Sequence, residues 1–210
     1  MHRLRASVTA GTAGMAGSLG GLALALASCA SCAFCASCAG TPQKSFDGSV
    51  YRDGPVAFQV PPAPQQWRAV SVTEGSLAYR DDAHGASILV NGRCRRPDEG
   101  TPLVALTNHL LMGSTAREVT VAETVPFDGR EALHTKLRAK WDGVPIAFDI
   151  YVMKKDGCVY DFVYMGDPSA HDDGVRAFES FVRGFRTLPG SGLVQGSPRS
   201  RGEDRGGARG

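Results

Sequence analysis

The chain of 210 residues carries 23 Lys+Arg against 21 Asp+Glu and is 42% hydrophobic, the balance of a globular protein with one sizeable core rather than of a disordered chain or a polycation. Nucleic acid is excluded as the implied partner, because no clustered basic excess exists. The arginines of the closing stretch SPRSRGEDRGGARG (197–210) are interrupted by Glu203 and Asp204, so residues 189–210 read as a disordered solvated tail.

At the other end, Met1-His2-Arg3-Leu4-Arg5 is a short basic start, followed from Ala13 to Leu26 by apolar or small residues without an acid. That pattern is a secretory signal peptide over residues 1–28. Its apolar core, LGGLALALA, falls short of the roughly 20 apolar residues that span a bilayer. Its removal takes Arg3 and Arg5 and no acid, which leaves 21 Lys+Arg against 21 Asp+Glu.

The leader runs into SCASCAFCASCAG (28–40), four cysteines three apart. Leu26-Ala27-Ser28-Cys29 resembles the lipobox of bacterial lipoproteins, and Cys29 alone fits it: the position three before Cys32, Cys35 and Cys38 holds another cysteine instead of an aliphatic residue. An iron–sulfur reading fits less well, because a ferredoxin run normally closes with a gap of three and a proline. A cluster here would also have no surrounding fold to hold its thiolates. The resemblance implies lipidation at Cys29, a flexible tether over 29–48, and an envelope location facing the periplasm. Ala30 lacks the aspartate that retains many such proteins in the inner membrane, which favours the outer membrane by analogy. The role of Cys32, Cys35 and Cys38 stays open between extra acylation, stray thiols and low-complexity drift.

Residues 49–188 read as one domain. Strands are predicted at Val56–Val60, Trp67–Val72 with Ser76–Tyr79, and Ala86–Arg93, each bounded by Pro, Gly or Asp. Leu103, Leu106, Leu110 and Leu111 then fall on one side of a helix that ends at Gly113, with Thr101 as its N-cap and His109 on its solvated flank. From Arg117 to Met165, Asp128-Gly129, Asp142-Gly143 and Asp156-Gly157 divide four alternating strands, and Asp-Gly between such runs signals a hairpin.

A two-residue turn at Asp142-Gly143 pairs Trp141 with Val144 and, further down, Lys136 with Asp149. One face is then apolar apart from Thr135. The other presents His134, Lys136, Arg138 and Lys140 as an exposed row, the candidate binding face. Two-residue turns at the flanking pairs would turn Thr124 and Asp161 into a single buried face. Three-residue loops, Phe127-Asp128-Gly129 and Lys155-Asp156-Gly157, are therefore expected, with Cys158, Tyr160, Phe162 and Tyr164 on the core side. Cys94 shares a face with Ile88 and Val90, so a Cys94–Cys158 disulfide is expected in an exported chain. A second helix over 172–185 carries the stripe Val175, Phe178, Phe181, Val182 and Phe185, with Asp172 and Asp173 at its positive end.

The start Phe58-x-Val60-Pro61…Trp67, the antiparallel meander, the helix between strands and the closing AFESFVRGF together resemble the Mog/PsbP-like superfamily over about residues 49–188. The resemblance implies an α+β fold: a meandering antiparallel sheet of about six to seven strands flanked by two helices, an α/β/α sandwich. Its members include photosystem accessory subunits, small-GTPase binders and envelope proteins, and they share no catalytic motif to carry over.

No nucleophile elbow, P-loop or dinucleotide fingerprint occurs. Asp81, Asp82 and His84, with His171, Asp172 and Asp173, are the only clusters with metal-ligand chemistry. All sit at turns, where these residues serve the backbone. Cys94 between Arg93 and Arg95 is a candidate for a low-pKa thiol. The sequence thus favours a non-catalytic binding or accessory role with an envelope protein partner, and implies no cofactor. The alternative is a metal-binding protein or enzyme built on the Asp/His loops.

Overall fold

The computed structural model describes residues 44–191 except Glu74, with backbone only for Arg96 and Pro97. The leader, the four cysteines of the 28–40 run, the tether up to residue 43 and the tail from residue 192 lie outside the described residues. In chain order the elements are β1 (Ser45–Phe46), β2 (Val50–Asp53), β3 (Val56–Gln59), β4 (Trp67–Ala69), β5 (Leu77–Asp81), β6 (Ala86–Arg93), α1 (Arg96–Glu99) and α2 (Leu103–Leu110). There follow β7 (Ser114–Phe127), β8 (Arg130–Trp141), β9 (Val144–Lys155), β10 (Cys158–Gly166), α3 (His171–Arg183) and β11 (Arg186–Thr187).

Seven strands form an antiparallel sheet in the order β4-β5-β6-β10-β9-β8-β7. The chain therefore leaves β6 in mid-sheet, crosses through α1 and α2 to the far edge, and returns by the meander β7 to β10. Helix α3 packs on one face with a second, four-stranded sheet, β1-β2-β3-β11. Helix α2 packs on the other. This is the α+β sandwich with two flanking helices that the sequence implies, with one addition. Val56–Gln59 belongs to the small sheet, whose first strand, Ser45–Phe46, lies within the stretch read as tether.

The middle hairpin has the predicted register, Trp141 opposite Val144 through Lys136 opposite Asp149. The flanking hairpins do not have the expected three-residue loops: Phe127 pairs with Arg130 and Lys155 with Cys158. In all three turns both central residues are left-handed, Asp128 at φ 45°, Asp142 at 49° and Asp156 at 53°, each followed by a glycine at 73–82°. That is the type I′ geometry, whose twist matches the strands it joins.

The expectation failed because it assumed one buried face. β10 is buried along almost its whole length, with Tyr160, Phe162 and Tyr164 toward α3 and Val159, Asp161 and Val163 toward α2. Asp161 is accommodated by Arg93, whose Nη1 donates to it at 2.5 Å. Thr124 lies on edge strand β7, where it is exposed. Two smaller differences concern α2, where Pro102 and not Thr101 is the N-cap, and α3, which begins at His171 and ends at Arg183 with Gly184 as its C-cap.

Cys94 and Cys158 form a disulfide across a sequence separation of 64. It ties the start of the α1 loop to β10.

Candidate functional site

Cross-strand register decides the fate of the basic row. His134 stands in line with Tyr151, Phe162 and Val90 across four strands, beneath α3, and is buried. Its ring stacks on Tyr151 at 4.1 Å. Nε2 lies 2.9 Å from Asp149 Oδ1 and Nδ1 lies 3.4 Å from Glu123 Oε1. Lys136 reaches up to α3, donating to Glu179 Oε1 at 2.8 Å, with Asp149 Oδ2 at 3.2 Å.

Asp149 has no exposed side-chain surface. Burial pulls the Lys136 ammonium down, but Glu179 and Asp149 outweigh it and hold its pKa above the ordinary lysine value. Burial, then the Asp149 charge, pushes the Tyr151 phenol well up. The expected exposed row is thus half structural: His134 is buried within the sheet against Tyr151 and Asp149, and Lys136 fastens α3 to the sheet through Glu179. Arg138 and Lys140 are exposed and, among the described residues, have no ion pair. Both nitrogens of His134 face carboxylates, so the network offers no nucleophile to activate.

The two Asp/His clusters meet at the first turn of α3. Asp81 is fully buried; its Oδ1 accepts from the N–H groups of Ala83 and His84, and its Oδ2 lies 2.8 Å from His84 Nδ1. That is turn capping. Asp82 points outward between Arg68 and Arg80, at 3.3 and 3.5 Å. His171 packs edge-on against Tyr164, with ring centroids 5.5 Å apart. Asp172 is wholly exposed and Asp173 pairs with Arg176.

Gly174 lets these parts touch: a Cβ there would lie 1.9 Å from Tyr164 Oη and 3.0 Å from His84. Burial, then the Asp81 charge, pushes the Tyr164 phenol up to about 12. Among the described residues no three His, Cys, Asp or Glu side chains are grouped to hold a metal ion. Cys94, being in a disulfide, is not the thiolate that the GRCRR context suggested.

The sequence reading missed the open half of the α2 face. An eight-residue helix is about 12 Å long, whereas seven strands spread over about 29 Å. Helix α2 covers Leu137, Phe148, Ile150 and Val163. Register continues the same face outward through Met165, Ser87, Arg80 and Arg68, and through Leu89 and Ala78.

Three depressions connect along this uncovered area, the first of them rounding the β4 edge to reach β1 of the small sheet. One of about 340 Å³ runs from Lys44 and Phe46 to Ala78. The second, about 390 Å³, shares Val70 and Ala78 with it and extends to Leu89 and Met165. The third, about 300 Å³, shares Met165 and reaches Ile146, Val144 and Trp141. Four of the seven exposed large hydrophobic residues line this trough: Phe46, Val70, Trp141 and Val144, the last 65% exposed. One signal of this was available in the sequence, since Val144 and Trp141 flank a turn where polar residues are usual.

No protein-family model matches the chain, and no curated protein matches it. Among solved structures it is similar to cyanobacterial PsbP (CyanoP) from Synechocystis sp. PCC 6803, at 18% identity and a TM-score of 0.47 over 72% of this chain and 98% of that one. It is also similar to LpqN, involved in cell envelope biogenesis of Mycobacterium tuberculosis, at 12% identity and a TM-score of 0.46 over 64% and 86% of the chains. A third is the Ran-binding protein Mog1p of Saccharomyces cerevisiae, at 14% identity and a TM-score of 0.46 over 63% and 90%.

Proposed function

We propose that this is an exported protein, lipid-anchored through Cys29 to the cell envelope and facing the periplasm from the outer membrane, whose domain acts by binding rather than by catalysis. The observation that carries the binding role is the trough beside α2, where large apolar side chains stay in water next to a face that the helix covers only in part. A contiguous apolar patch of that kind marks an interaction site. Support for export comes from the N-terminal pattern and from the Cys94–Cys158 disulfide, because such bonds persist in oxidising compartments. The Asp81, Asp82 and Asp173 carboxylates are held by turn N–H groups or arginines and His134 by Asp149 and Glu123, while His171 Nε2 and Tyr164 Oη are buried without a hydrogen-bond partner among the described residues.

Two experiments test this. Peptide mass mapping without reduction, on protein from its native membrane, is expected to find an acylated Cys29 at the new N-terminus together with a linked Cys94–Cys158 peptide; an intact leader defeats the export reading. A photo-crosslinking residue at Met165 in the trough and another at Arg138 on the opposite face separate the two surfaces. Adducts at Met165 alone are expected, and adducts at neither position defeat the binding role.

A further inference from the structure

The trough has an occupant that its position and its rim identify. We infer that it is a membrane-docking face, seating the domain on an anionic phospholipid surface. The inference deepens the binding role just proposed.

Position comes first. The described chain begins at Lys44, and Lys44 and Phe46 line one end of the trough. Whatever holds the chain at Cys29 therefore holds it through a segment that joins the domain at that end. At roughly 3.5 Å per residue, the stretch from Cys29 to Lys44 spans no more than about 50 Å, so a domain anchored there is confined to that distance from the bilayer. The trough end is where the chain from the anchor enters the described domain.

Chemistry agrees with position. The floor is aliphatic, the far end carries an indole 38% exposed at Trp141 beside Val144, and Met112, 59% exposed, precedes Gly113, which lies against the Trp141 ring. An indole beside protruding aliphatics is the composition that sits at a bilayer interface. The rim holds Lys44, Arg68 and Arg80 against Asp167 and the Asp82 that pairs with both arginines. Cations thus exceed acids, and anionic headgroups would compete for the arginines. On the opposite face Arg138 and Lys140 are also basic, but none of the exposed large hydrophobic residues lines the depression beside Arg138, which makes them the control.

The test uses the full chain with Cys29→Ala, made without acylation, and vesicles of phosphatidylglycerol and brominated phosphatidylcholine. Trp141 is one of two tryptophans, and the other, Trp67, is buried. Quenching by the bromines therefore reports docking of the trough, and Trp141→Phe should remove the quenchable signal. Val144→Asp is expected to weaken partitioning about tenfold or more, and Arg68→Gln with Arg80→Gln to abolish the preference for anionic vesicles. Arg138→Glu with Lys140→Glu should change nothing.

Unquenched Trp141, or quenching that survives Val144→Asp, overturns the proposal. So does loss of quenching equally on the control face. Lipid adducts at Met165 support it, whereas adducts at Met165 to a protein alone leave the binding role standing and overturn the membrane as occupant. Because the vesicle assay needs no acyl chain, its failure is separate from failure to find acylated Cys29.

Discussion

Lys136→Met separates a structural ion pair from a surface charge. The ammonium lies 3.2 Å from a carboxylate with no exposed surface and 2.8 Å from Glu179, and is itself 28% exposed. At an effective dielectric constant of about 20, a charge pair at that separation attracts by about 5 kcal/mol before desolvation and side-chain entropy are charged against it. Breaking a buried pair costs about 3–5 kcal/mol. Partial exposure and the surviving His134 contact to Asp149 lower this, so a loss of about 2–3 kcal/mol is expected in urea unfolding at neutral pH. Arg138→Met, two residues along the same strand, should stay within about 0.5 kcal/mol of the parent.

The same pair has a pH signature. A folded-state pKa raised above the lysine value means that the contribution is complete below about 10.4 and is lost as pH climbs through the folded value. Lys136→Met should remove that alkaline decline. Adding Asp149→Asn should recover part of the loss, by at least about 1 kcal/mol of coupling. Equal effects at Lys136 and Arg138, or strict additivity with Asp149→Asn, would refute the reasoning. A charge reversal at Lys136 is consequently a test of folding, and Arg138 and Lys140 are the positions at which that face can be probed for partners.

Replacing Cys94 and Cys158 together by alanine frees a closed loop of about 65 residues, worth about 4 kcal/mol in the chain-entropy model; a loss under about 1 kcal/mol by denaturant titration would contradict it. Gly174→Ala should lower stability by about 1–3 kcal/mol in a thermal melt, because its Cβ would meet the buried Tyr164 hydroxyl at 1.9 Å. Helix propensity alone favours alanine by about 1 kcal/mol, so a stabilised variant would show that Tyr164 yields freely. Asp128 accepts from Thr187 N and Oγ1 and from Lys155 Nζ at 2.8–2.9 Å. Burial works against ionisation there, but those bonds prevail and hold its pKa below the ordinary value. Its contribution is therefore present above about pH 4 and lost as pH falls through the folded value. Asp128→Asn keeps a residue that tolerates φ 45°, and should flatten that acid limb in urea midpoints measured across the acid range.

How much of this was legible varied with the kind of signal. Local chemistry read well. The Asp142-Gly143 turn fixed the register of β8 and β9, the register placed Lys136 opposite Asp149, and the aromatic stripe of α3 is core. What failed was everything that depends on how many faces of the sheet are covered. The run from Cys158 to Met165 is apolar except for Asp161, and continuous apolar runs mark strands buried on both sides. Taken as one-sided, it forced the wrong loop at Asp156 and left His134 in solvent, while the loop at Asp128 was misread because Thr124 was placed against a core and instead lies exposed on the edge strand β7. The buried Arg93–Asp161 pair, 68 residues apart in sequence, has no local trace by which it could have been found. The same is true of the meeting of the two Asp/His clusters at Gly174.

Unequal coverage of the two faces also separates what folds the domain from what it presents. Toward α3 the sheet is sealed by a 13-residue helix, the small sheet and the Lys136–Glu179 contact, and polar substitutions there leave charges or hydroxyls without partners. Toward α2 the sealed patch ends near Phe148 and Val163, with Leu89, Met165 and Ile146 packed at its margin and Ser87, Arg80 and Arg68 in line beyond Met165, while Val144 and Trp141 protrude at the other end. The Ser87–Arg80–Arg68 end is polar, as the solvated face of an antiparallel sheet is, whereas the Val144–Trp141 end is not. Val144 stands outside both cores, and Trp141 meets one only through the Phe148 ring, with centroids 6.3 Å apart, so these are the side chains on which the proposed association rests. Polar changes at the trough and at the α3 face should therefore sort cleanly: the first shifts binding while the melting temperature holds, and the second moves the melting temperature first.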